Sequence, residues 1–158
     1  MRPLTEHELK ACLVNLDDAG REQVGLPHDW MLLDWDHLDF LAWPDPTFRG
    51  RGYLVVERDG APVGIALRAA EGTSRARTAI CDVCHTMRPG DHVTMFTARV
   101  PGPVEKSIGT YLCSDLSCHE NVRLAAPLAP GEIRASVDRR IDGTKHRAER
   151  FLARVIEP

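Results

Sequence analysis

Cys81-Asp82-Val83-Cys84 and Cys113-Ser114-Asp115-Leu116-Ser117-Cys118 decide how this chain folds. Each stretch brings two sulfurs together across a tight turn, and a tetrahedral Zn²⁺ takes four thiolates at about 2.3 Å. Between the pairs lie the turn signal Arg88-Pro89-Gly90-Asp91 and a run of strand-forming residues, His92 to Val100. A redox dithiol needs one pair and leaves the second idle. A disulfide framework needs export, and Met1-Arg2-Pro3-Leu4-Thr5-Glu6-His7-Glu8 turns acidic at once, without the apolar core of a signal peptide. One structural zinc on Cys81, Cys84, Cys113 and Cys118 uses all four residues, and a cytoplasmic location is expected with it.

The order around these cysteines extends the reading to a fold. A knuckle comes first, then a hairpin, then a helix-compatible run from Leu116 to Leu124 beside the last ligand. That is the order of a treble-clef zinc finger. Upstream, Tyr53 to Arg58 and Pro62 to Arg68 are strand runs joined by Asp59-Gly60, a favoured two-residue hairpin turn. Thr78-Ala79-Ile80 leads into the first pair, and Ile108 to Leu112 returns from the Pro101-Gly102-Pro103 loop to the second. The expected class is α+β: a treble-clef zinc finger with antiparallel β-hairpins, amino-terminal helices and a carboxy-terminal helix. Residues 1–48 are expected as a short helical segment packed on an α/β zinc-binding domain of residues 49–158, the two forming one compact unit.

At the amino terminus, Thr5-Glu6-His7-Glu8 is a capping box, and Leu4 and Leu9 are spaced as a hydrophobic staple. Leu9, Cys12, Leu13 and Leu16 form one apolar stripe, which predicts a helix over about 6–16 and makes Cys12 a small buried apolar residue. Trp30, Trp35 and Trp43 sit among Leu32, Leu33, Leu38 and Leu41, so they read as core and not as a ligand cage. Pro127-Leu128-Ala129-Pro130-Gly131 breaks the helix after Cys118. From Ile133, apolar residues return at helical spacing through Val137, Ile141, Ala148, Phe151, Leu152 and Val155, where Gly143-Thr144 either splits one helix in two or only weakens it.

Charge divides along the chain. Residues 1–48 hold three basic and ten acidic side chains, −7, and residues 49–158 hold seventeen and thirteen, +4, which together give the net −3. An acidic partner is therefore sought on the second part. Arg139, Arg140, Lys145, Arg147, Arg150 and Arg154 share one face of the last helix; they are either a solvated face paired with Asp138, Asp142 and Glu149 or a contact surface for something acidic. Met95 and Phe96 are candidates for an apolar contact patch, against which strand alternation offers a core position for Phe96. No apolar run is long enough for a membrane span, and no phosphate-binding glycine loop or catalytic spacing is present. Four protein ligands leave zinc no open position for water, so no enzyme activity is expected.

Cys81-x-x-Cys84-His85-Thr86, then Gly109-Thr110-Tyr111-Leu112-Cys113-Ser114-Asp115-Leu116-Ser117-Cys118, then Asn121-Val122-Arg123, resemble the carboxy-terminal treble-clef domain of the elongation-factor-G-binding family, to which fusidic-acid-resistance proteins belong. Leu38-Asp39-Phe40-Leu41-Ala42-Trp43 and Phe151-Leu152-Ala153-Arg154-Val155 are similar to that family too. The resemblance implies a four-cysteine zinc site, docking on elongation factor G, and a non-enzymatic role in releasing that factor from stalled ribosomes. Resistance proteins of the type carry a separate helical bundle before the zinc domain, so partner binding is the part of the implication that transfers. A treble-clef module for RNA or DNA is the alternative, disfavoured by the net negative charge and by aromatics at only 6% of residues. A zinc tetrathiolate carries a net charge near −2, for which Arg77, Arg88 and Arg123 are candidate supports by their nearness to ligands, and His85 and His119 are minor candidate donors.

Overall fold

Tyr53, Leu54, Val55 and Val56 are consecutive apolar residues and all four are buried. A strand that turns apolar side chains both ways has to lie between two covering layers. The computed structural model, which describes residues 1–72, 78–124 and 135–157, shows that sandwich. Its strands are β1 (Leu41–Pro44), β2 (Arg51–Arg58), β3 (Ala61–Ala69), β4 (Thr78–Ile80), β5 (Met87–Pro89), β6 (Val93–Arg99) and β7 (Ser107–Cys113). Its helices are α1 (Glu6–Ala11), α2 (Asp18–Glu22), α3 (Cys118–Asn121) and α4 (Val137–Ile156). Five strands form an antiparallel sheet in the order β1-β2-β3-β6-β7, and β4 and β5 pair separately.

The two layers divide the side chains of β2 and β3 by alternation. Leu54, Val56, Ile65 and Leu67 join Phe96, Ala98 and Leu112 under α4, whose Ala148, Phe151, Leu152 and Val155 face them. Tyr53 and Val55 point the other way, against Leu9, Leu13, Val24, Leu41 and Trp43 from the amino-terminal segment. That segment thus covers this face of the sheet at β1, β2 and β3. The boundary expected at residue 48 falls between β1 and β2, two strands paired from Leu41↔Val55 to Pro44↔Gly52. Asp59 and Gly60 both take positive φ, 51° and 76°, the backbone that a two-residue hairpin turn needs.

Local signals hold at the start of α1, where Thr5 and Glu8 form both bonds of the capping box and Leu4 and Leu9 are buried in one cluster. The helix is shorter than its stripe predicts and stops at Ala11. Beyond it, the Val14 N–H donates to the Gly64 carbonyl at 3.0 Å and the Gly64 N–H to the Cys12 carbonyl at 2.9 Å. A bridge to β3 has replaced the next helical turn. It needs glycine at 64, where a Cβ would stand 2.8 Å from Val55 Cγ2 and 3.0 Å from Leu13 Cδ2. Trp43 is in the core, its indole N–H on the Gly25 carbonyl at 2.8 Å, while Trp30 and Trp35 pack edge to face at the rim. Cys12 is buried, as its stripe predicts.

α4 runs unbroken through Gly143-Thr144. α3 is a single turn, shorter than the run to Leu124 suggested. The break expected at Pro127 to Gly131, the start expected at Ile133 and the support expected from Arg77 lie outside the described residues. Among the described residues no helix is long and apolar enough to cross a membrane.

Candidate metal centre

Two turns and two strand ends carry the four cysteines. Cys81 follows β4, and the Cys84 N–H points back at the Cys81 sulfur, 3.5 Å away, while the His85 N–H closes the turn on the Cys81 carbonyl at 2.9 Å. His85 there adopts φ 55°, which lets the chain reverse straight into β5. The second turn repeats the device. The Leu116 N–H donates to the Cys113 carbonyl at 2.9 Å, and Leu116 sits at φ 58° before Cys118 opens α3.

Asp82 locks the two halves together. Its backbone N–H donates to the Tyr111 carbonyl at 2.8 Å, and its carboxylate accepts from the Thr110 hydroxyl at 2.9 Å and the Tyr111 N–H at 2.8 Å. The first knuckle is thereby pinned to β7, two residues before Cys113. All four sulfurs lie within 4.8 Å of one another, with Cys81 to Cys118 at 3.5 Å and Cys84 to Cys113 at 3.6 Å. Thiolates at about 2.3 Å around a tetrahedral ion stand about 3.8 Å apart. The four are buried and unbridged, and they fit one structural zinc ion.

As bare thiols the four share their protons unequally. Cys84 is held far below the ordinary thiol range, by hydrogen bonds from Cys113 first and then Cys118. Cys118 is pushed well above it, by its bonds to Cys113 and Cys81. A divalent cation suits such a donor set, because it stabilises all four thiolates together. Cys12 stands apart in the other layer; burial pushes its thiol up to about 12, which leaves it inert at neutral pH.

Around the sulfurs are donors, only one of which the nearby-cation argument picked out. Arg88 lies over Ser117 at 3.4 Å and His92 Nδ1 at 3.3 Å, beside the Cys113 sulfur. Asn121, buried, donates its amide to Cys113 Sγ at 3.4 Å and to Ser117 Oγ at 2.7 Å. Arg123 makes its bonds elsewhere than to the sulfurs: to Asp39 at 2.7 Å and to the His37 and His119 carbonyls. His119 Nε2 meets the His37 carbonyl at 2.7 Å, and neither it nor His85 joins the sulfur cluster. Arg123 and His119 therefore latch the amino-terminal segment to α3. Sequence gave no hint of that, because the partner residues are more than eighty positions away.

The expected contact residues separate. Phe96 is buried in the α4-side core, with Met95 half-buried on the opposite side of β6 beside Gly109. Strand alternation, not the patch, decides Phe96: it is a core residue and not part of a contact surface. Arg139, Lys145, Arg150 and Arg154 are exposed on α4. Arg140 bonds the Leu124 carbonyl at 3.1 Å, and Arg147 reaches the Val83 carbonyl inside the first knuckle at 2.6 Å. Those two face inward. Among the described residues, Ile80 and Met87, paired across β4 and β5, and Tyr111 on β7 are exposed apolar side chains on the strands that flank the cysteines.

The model of one protein family, described as FBP C-terminal treble-clef zinc-finger, matches residues 8–155. No curated protein and no solved structure matches the chain.

Proposed function

The chain belongs to the FBP C-terminal treble-clef zinc-finger family, and from that premise we propose that it is a non-enzymatic zinc protein that docks on elongation factor G and releases it from stalled ribosomes in the cytoplasm. The observation that carries the reading is the closed, buried four-sulfur site, clamped to β7 by Asp82, which favours a structural ion and a stiff surface around it. A stiff surface limits the ordering cost of binding a large partner. Ile80, Met87 and Tyr111 offer apolar contact on that surface, in place of Phe96. The exposed cations Arg139, Lys145, Arg150 and Arg154 would speed encounter with an acidic partner more than they tighten the complex.

The same cations support the alternative, a treble-clef module for RNA or DNA. Titration of purified, nuclease-treated elongation factor G separates the two. Binding at micromolar or tighter Kd, slowed several-fold in association by Arg150→Glu with Arg154→Glu at unchanged zinc content, is the expected result. Absence of binding at tens of micromolar, with ribosomal RNA retained on the untreated protein and a steep loss of that RNA as salt rises, would transfer the function to nucleic acid.

A further inference from the structure

Gly143 is out of place by local rules. It sits inside the long helix α4, where glycine is the poorest residue short of proline, and its φ is not one that only glycine adopts. The reason lies in space. A Cβ at 143 would come within 2.9 Å of Arg147 Nη1 and 3.5 Å of Nη2, so the Arg147 guanidinium lies folded over the glycine. Arg147 Nη2 also donates to Thr144 Oγ1 at 3.3 Å, and buried Thr144 is itself fixed by donating to the Arg140 carbonyl at 2.8 Å. Held by these two neighbours, Arg147 Nε donates to the carbonyl of Val83 at 2.6 Å, between the ligands Cys81 and Cys84.

We infer that Gly143, Thr144 and Arg147 form a built seat through which α4 grips the first zinc knuckle, with Arg147 as a positioning residue and counter-cation for the zinc tetrathiolate. An arginine suits the task, since its fork can hold a carbonyl and a hydroxyl at once while its charge stays near the sulfurs. Metal-bound thiolates depend on such outer partners for their orientation and charge. One consequence is mutual: zinc keeps the knuckle carbonyl in reach of α4, and α4 keeps a cation over the knuckle. The inference rests on the metal site alone and is indifferent to which partner the protein binds.

Glycine 143 supplies a test in which local propensity and the seat predict opposite signs. Helix propensity makes Gly143→Ala neutral or stabilising. The seat requires the new Cβ to displace the guanidinium, at little steric cost to the rest of the helix. The measurement is the rate at which zinc passes from the folded, zinc-loaded protein to excess chromogenic chelator. Arg147→Gln should release zinc about tenfold faster than the parent, and Gly143→Ala several-fold faster without loss of helical signal. The double variant should release zinc no faster than Arg147→Gln, because both changes remove one contact. Parental release from Gly143→Ala overturns the inference, as does an additive effect in the double variant. Should Arg147→Gln fail to fold, Gly143→Ala alone decides.

Discussion

The two faces of the central sheet are closed by different means. On the amino-terminal face, packing does the work: Leu9, Leu13, Tyr53 and Val55 are fully buried, and Tyr53 stacks on Trp43 with ring centroids 4.8 Å apart. On the other face α4 packs on β2 and β7, and the edge of that layer is sulfur held for a metal. The first face is stabilised by many small, local contributions. The second concentrates its stability in one ion, because structural zinc is worth on the order of 10–16 kcal/mol in small finger systems. The two are not independent, since alternate residues of β2 serve both.

The largest effect should therefore come from the metal. Cys113→Ser should bind no zinc by elemental analysis and lose on the order of 10 kcal/mol of folding free energy. Trp30, Trp35 and Trp43 all belong to the amino-terminal face, so their fluorescence reports that layer while chelator-sensitive zinc reports the other. Both signals should change in one transition as metal is withdrawn. Tryptophan emission that stays native after the zinc has gone would break the comparison into two separate units.

Next in size is Leu13→Ala, which opens a void beside Gly64 and should cost about 2–5 kcal/mol in denaturant unfolding with zinc content unchanged. Tyr53→Phe should follow at about 1–3 kcal/mol, because the phenol donates to the Asp45 carboxylate in the core of that face. Burial alone would raise the Asp45 carboxyl, but hydrogen bonds from Tyr53 and from the Phe48 and Thr47 amides hold it below its ordinary value. A depressed carboxyl contributes stability above the ordinary carboxylate range and loses it as pH falls through the folded-state value. Without the phenol the folded-state carboxyl rises toward its ordinary value, so less stability is left to lose on acidification and the acid limb of a stability–pH curve should become shallower; an unchanged limb would assign the acid sensitivity elsewhere. The smallest change expected is Thr5→Ala, about 1 kcal/mol from the lost cap of α1, read as a shift in the unfolding midpoint.

What could be read from sequence follows distance along the chain. The zinc ligands were legible because metal geometry imposes a spacing on the chain itself, and Thr5-x-x-Glu8 and Asp59-Gly60 were legible because their partners are neighbours. The early end of α1 was not, since Gly64 takes the Cys12 carbonyl and the Val14 N–H from about fifty positions away. Arg147 looked like its exposed helix neighbours for the same reason: its acceptor, Val83, is 64 residues upstream. Phe96 sat one residue from the exposed side of β6, and only pairing with β3 and β7 settled which way it turned.

The burial of β2 on both sides also sets an order of events during synthesis. Residues 1–69 contain α1, α2 and the β1-β2-β3 meander, so the amino-terminal face can close on contacts that are already off the ribosome. Its reverse side, with Leu54, Val56, Ile65 and Leu67, must wait for β6, β7 and finally α4. During that interval a bare apolar sheet is presented to the crowded cell, the condition under which nascent chains aggregate or recruit chaperones. All four cysteines are synthesised before α4, so metal supply during translation should influence how long the sheet stays uncovered.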